Sequence, residues 1–141
     1  MKTLFRIFAL LLSSYIIETI IVFIILTVEN ILKNGVNNVF VKSDWRFIFG
    51  ITVLRILYFI IPQVCIYLLA QKFLKPFSLF KFSMLNGISF IIIFFSILLI
   101  WTTGFKDFAS KSITYYFICS TIISPILLYQ IPYFKRLMES I

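Results

Sequence analysis

Four long apolar runs, each bordered by charge, set the pattern of the chain. The first runs from Ile7 to Val28 between Arg6 and Glu29, and the second from Phe47 to Ala70 between Arg46 and Lys72. The third runs from Phe82 to Trp101 after Lys81, and the fourth from Ile113 to Phe134 between Lys111 and Lys135. Crossing about 30 Å of hydrocarbon takes roughly 20 helical residues, and each run is long enough. Many of the residues are β-branched or aromatic, types that in water favour strands. In lipid every backbone N–H and C=O must be paired internally, so an unbroken run of this length predicts a helix. A β-barrel would need shorter segments with polar residues at every second position, and that alternation is missing. The pattern predicts an all-α polytopic membrane protein: a single domain over residues 1–141, with four transmembrane helices in an antiparallel bundle.

The punctuation between the runs agrees. Asn34-Gly35 ends the first helix and its extension, with Gly35 free to adopt a left-handed conformation. Ser43 or Asp44 is expected to cap the second helix, Ser78 the third after the break at Pro76, and Ser110 or Ser112 the fourth. Gly104 closes the third helix, and Pro125 is expected to kink the fourth. The segment from Glu29 to Arg46 reads as a helical extension and a connecting loop.

Composition excludes several classes. Of the 141 residues, 62% are hydrophobic and 13% charged, against about 45–50% and about 25% in soluble domains. A soluble enzyme, a disordered chain and a disulfide scaffold are thereby excluded. There is no histidine, which removes the usual near-neutral proton carrier and the commonest metal ligand. Cys65 and Cys119 differ in depth by roughly 12 Å along their helices, too far for a disulfide, and both read as buried packing residues. No metal or haem ligand set, phosphate-binding glycine loop or nucleophilic apparatus is visible. No cofactor and no enzymatic activity are expected.

The formal net charge is +8, but the 13 Lys and Arg flank apolar runs instead of clustering on a polar domain. Anionic lipid headgroups are the expected partner, and nucleic acid is not. Lys72, Lys75, Lys81, Lys135 and Arg136 are the expected headgroup contacts. With Lys2 and Arg6 they place seven basic residues on one side. The other side has five, with three of the five acids (Glu29, Asp44, Asp107). That bias predicts both termini in the cytoplasm, in a bacterial cytoplasmic membrane. Trp45 and Trp101 then fall at the outer interface, and Tyr67, Tyr129 and Tyr133 toward the inner one.

Two charges lie well inside the predicted spans. Glu18 is about 15 Å deep in the first helix and Arg55 about 12 Å deep in the second. Either charge alone in lipid costs at least about 2.5–3.5 kcal/mol. Pairing offsets much of that, and a guanidinium is able to grip a carboxylate at two points. The expected pair is therefore Glu18–Arg55, facing the interior, with Ser14, Thr52, Gln63, Asn86, Ser120 and Ser124 forming a polar lumen or packing face around it. A glutamate in the first of four spans is similar to the small multidrug-resistance transporters. The similarity covers Glu18 and the helix count; the longer chain, longer first loop and Arg55 depart from it, and no family is assigned on it.

The leading functional expectation is a non-enzymatic membrane component, either an accessory subunit of a larger membrane complex or a unit that assembles with copies of itself. The alternatives are a homo-oligomeric pore, membrane-disrupting effectors included, and a small ion-coupled transporter using Glu18.

Overall fold

A computed structural model describes residues 2–35, 42–73, 78–100 and 112–141. All the elements among them are helical. α1 spans Lys2–Asn34, α2 spans Lys42–Leu54, a π-helical turn spans Arg55–Phe59, and α3 spans Ile60–Phe73. α4 spans Leu79–Ile100, α5 spans Ser112–Tyr129, and α6 spans Pro132–Glu139. Three of these helical stretches are long and apolar enough to cross a membrane, or four if α5 and α6 are counted as one broken span.

The ends follow local chemistry. α1 closes at Gly35, whose φ of 74° is left-handed and whose N–H reaches the Ile31 carbonyl at 3.0 Å, as glycine at this position allows. Ser78 caps α4, its hydroxyl accepting from the Lys81 N–H at 3.3 Å. Beyond Val28, α1 continues as an extension tied to α5. Glu29 accepts from Lys33 on its own helix and from Tyr116 of α5 at 2.8 Å. These two donors, Lys33 first, hold the Glu29 carboxyl below the usual carboxylate range.

The sequence expectations need four corrections here. Ser43 and Asp44 lie within α2, which already includes Lys42. The fourth run is not one straight helix to Phe134: α5 ends at Tyr129, and the chain bends by 102° into α6. Pro132 causes the turn. It cannot donate a backbone hydrogen bond and it disfavours a helical conformation in the residue before it; Ile131 is accordingly extended, with φ −88° and ψ 119°. Tyr67 does not join a perimeter belt. It is 1% exposed and packs edge-on against Phe82, with ring centroids 5.3 Å apart. Cys65 and Cys119 are exposed instead of buried, both as free thiols. Trp45, Lys75, Pro76, Trp101, Gly104 and Ser110 lie outside the residues whose placement or side chains are described.

Two apolar clusters stack along the helices. One holds Val22, Leu26, Ile48, Phe59, Ile60, Phe90, Ile93, Phe94 and Phe117 with Tyr15. The other holds Ile7, Leu10, Leu11, Tyr67, Phe82, Leu128 and Met138. α1 passes from the second cluster to the first, α2–α3 return, α4 goes back and α5 returns again, so successive helices alternate in direction. The outward faces are apolar as well. On α1, Phe8, Ile16, Ile20, Ile24 and Val28 are exposed, while Ser14 and Glu18 are buried between the clusters. Apolar surface outside and polar side chains inside suit a protein whose solvent is lipid.

α4 and α5 approach closely where Gly87 faces Ile122. A Cβ on Gly87 would sit 3.0 Å from Ile122 Cγ1. Gly87→Leu is expected to wedge the two helices apart and cost about 1–3 kcal/mol. Denaturant or thermal unfolding of the purified protein in detergent measures this, and unchanged stability would refute the close approach.

Candidate functional site: a buried ion pair between the clusters

Glu18 lies on the buried face of α1, one turn after Ser14, with both residues 0% exposed. Arg55, 2% exposed, opens the π turn that joins α2 to α3. Its Nη1 contacts Glu18 Oε2 as an ion pair. The expected pair is therefore formed and faces the interior.

The π turn contributes to this placement. Arg55, Phe59, Gln63 and Tyr67 are all buried at four-residue intervals. In a regular α-helix a four-residue step overshoots one turn by about 40°. A π turn is wider and absorbs part of that drift. Pro62 follows it, and a proline there cannot donate to the Tyr58 carbonyl, so regular α-helical bonding is already interrupted at this level.

The carboxylate is held from three helices. Glu18 Oε1 accepts from Ser14 Oγ at 2.7 Å, from Ser124 Oγ of α5 at 2.8 Å and from Asn86 Nδ2 of α4 at 3.0 Å. The two serine oxygens are also 2.7 Å apart. Two hydroxyl hydrogens thus serve three short O···O contacts, so with an ionised Glu18 the serines share their donation between the carboxylate and each other.

Asn86 has a second task. Pro125 removes the N–H that would have bonded the Thr121 carbonyl, and Asn86 Nδ2 donates to that carbonyl at 2.8 Å. The network extends through Gln63 of α3, which donates to Asn86 Oδ1 at 2.7 Å and to Ser89 Oγ at 2.9 Å, and accepts from the Tyr15 hydroxyl.

The guanidinium is held mainly by rings. Its carbon lies 4.4 Å from the Tyr15 ring centroid, 4.6 Å from Phe90 and 5.6 Å from Phe117. Cation–π contacts of this kind are worth about 2 kcal/mol when desolvated. The two-point grip expected of the pair is not made: among the described residues, Arg55 Nε and Nη2 have no hydrogen-bond acceptor. The aromatic faces take their place.

Of the expected surrounding residues, Ser14, Gln63, Asn86 and Ser124 join the network. Thr52 does not; it bonds Thr19 at 2.7 Å and the Ile48 carbonyl of its own helix. Ser120 is buried, but its hydroxyl goes to the Phe117 carbonyl at 2.7 Å. Tyr15, Phe90 and Phe117 escaped the sequence reading, although each stands at helical spacing from a residue that was found: Tyr15 three before Glu18, Phe90 four after Asn86, Phe117 seven before Ser124. Of the expected headgroup contacts, Lys72, Lys135 and Arg136 are exposed and Lys81 is half-buried; Lys135 lies over the Tyr129 ring at 5.2 Å. Among the described residues, no three His, Cys, Asp or Glu side chains come together to hold a metal.

Comparison with protein-family models, curated proteins and solved structures returns no match.

A buried pair that loses one member leaves an uncompensated charge. Glu18→Gln is expected to destabilise by about 3–5 kcal/mol. Changing Glu18 to Leu and Arg55 to Met together is expected to recover most of that loss. A double-mutant cycle of unfolding free energies over Glu18→Leu, Arg55→Met and the two together tests the coupling; additive effects would show that the two side chains do not act as a pair.

Proposed function

We propose that the chain is a small, non-enzymatic, multi-pass membrane protein of the bacterial cytoplasmic membrane. In this reading it crosses four times with both termini inside, and acts as an accessory subunit or by assembling with copies of itself. The observation that carries the reading is the direction of its polar side chains. α1, α3, α4, α5 and the π turn each turn polar residues into one shared interior, where Glu18 and Arg55 are sealed from the surface at 0% and 2% exposure. What remains outside is apolar wall and charged ends. Such a chain meets its surroundings through lipid and through other membrane helices.

The same burial weighs against the competing readings. A pore built from several copies needs its charges on a surface that the copies share, and these charges are enclosed within one chain. An ion-coupled transporter needs Glu18 to exchange with solvent, and Glu18 is occupied by an arginine and three neutral donors.

The N-in, C-in orientation rests on the sequence charge bias, and the exposed Lys72, Lys135 and Arg136 suit contact with anionic headgroups. The expected result in liposomes holding the purified chain is no conductance and no dye release; leakage would overturn the reading in favour of a pore. Membrane-impermeant maleimide is expected to miss Cys65 and Cys119 in intact membranes and to label a cysteine placed at Ser140 only from the cytoplasmic side. Labelling from the other side would reverse the orientation. Loss of the protein from membranes on carbonate extraction would refute insertion itself.

A further inference from the structure

Lys2, Leu4, Phe5 and Arg6 line an open groove of about 490 Å³ at the start of α1. Its walls are mostly hydrocarbon: Leu4 is 50% and Phe5 68% exposed. At the same end Arg6 Nη1 donates to the Ser140 carbonyl at 3.1 Å, which fixes the guanidinium beside the end of α6. α6 itself is anchored by Met138, buried in the second apolar cluster, and by Gln71, which donates to the Ile141 carbonyl.

Two features say what fits there. The described charges around this end are nearly all positive: Lys2, Arg6, Lys72, Lys81, Lys135 and Arg136, against Glu139. Beyond the groove, α1 carries a stripe of further exposed apolar side chains at helical spacing, Phe8, Ile16 and Ile20. A soluble anion would use the charges and leave the stripe bare, and an apolar helix would use the stripe and leave the charges unmatched. An amphiphile with an anionic head and a hydrocarbon tail satisfies both.

We propose that this groove seats one anionic phospholipid, its phosphate against Lys2 and Arg6 and an acyl chain along Leu4, Phe5 and Phe8. The inference rests on the membrane reading and adds to it a specific lipid class and a specific place. Fixed cations in a groove select charge more sharply than loose cations on a surface, because Arg6 is already held by Ser140 and loses less freedom on binding.

Native mass spectrometry of the full chain, released from detergent in equimolar phosphatidylglycerol and phosphatidylcholine of matched chains, tests this. The wild type is expected to retain phosphatidylglycerol preferentially, with the preference falling by about fivefold for each cation removed in Lys2→Gln and Arg6→Gln. Lys33→Gln, at the opposite end of α1 where Lys33 pairs with Glu29, is expected to leave it largely intact. Lys2→Gln carries the test if Arg6→Gln unfolds the contact with Ser140. Equal retention of the two lipids, or an equal loss in the Lys33 variant, would overturn the groove while leaving membrane insertion standing. Displacement of the lipid by inorganic phosphate at millimolar concentration would overturn it as well, by showing a site for a free anion.

Discussion

A carboxylate removed from water must have its lone pairs met and its charge opposed, and Glu18 imposes that demand on the whole chain. Its donors come from α1, α4 and α5 and its counter-charge from the π turn between α2 and α3. These contacts are short-ranged and directional, so the helices have one mutual register in which all are made. Apolar packing would not impose this by itself. Between helices in lipid there is little hydrophobic drive, because hydrocarbon outside is as good a neighbour as a leucine inside. The apolar clusters above and below fill space, and the polar layer between them discriminates the correct arrangement from its neighbours.

The backbone irregularities belong to the same layer. In water a carbonyl freed by proline is answered by solvent. Where solvent is excluded, it needs a side chain from elsewhere. Pro125 on α5 and Asn86 on α4 are therefore a coupled pair, although they share no local sequence signal. Asn86 serves the Thr121 carbonyl and the Glu18 carboxylate together, so the kinked helix and the charged one are positioned by a single amide. The π turn has a similar logic: it sits next to Pro62, where α-helical bonding is already incomplete, and re-aims Arg55 toward the interior.

How much of this the sequence discloses depends on which coordinate is asked for. Depth along a helix is linear in residue number, and that made Glu18 and Arg55 readable as partners at one level. Facing is harder, since each residue turns the side chain by about 100° and the reference direction is set by the neighbours. Thr52 is three residues from Arg55, yet it meets Thr19, the residue after Glu18, because α2 at that level faces a different flank of α1. Cys65 and Cys119 show the same limit: both sit in apolar runs, and both face outward. The aromatic box was hidden for another reason. In a chain with 18 Phe and 7 Tyr, a ring beside a cation carries no distinguishing mark until the cation's own facing is known. The end of the fourth run failed on composition. Ile131 and Phe134 are as apolar as their predecessors, and one proline decides that they belong to a helix lying across the bundle.

This division of labour bears on where such a chain can act. The buried polar side chains engage one another, and the outward surface of the described residues turns polar mainly where the apolar wall stops. That happens at the helix ends. There the side chains of Arg6, Gln71 and Tyr129 engage the C-terminal segment through Ser140, Ile141 and Glu139, so α6 is held on the bundle by polar bonds at the margin as well as by Met138 within. A helix fastened in this way keeps its cations in fixed positions relative to the start of α1. Fixed cations beside exposed hydrocarbon present a defined shape to an amphiphile, whereas the same charges on a loose tail would present only an average field. The directional bonding that fixes the interior thus extends to the end of the bundle, where it also holds cations beside exposed hydrocarbon.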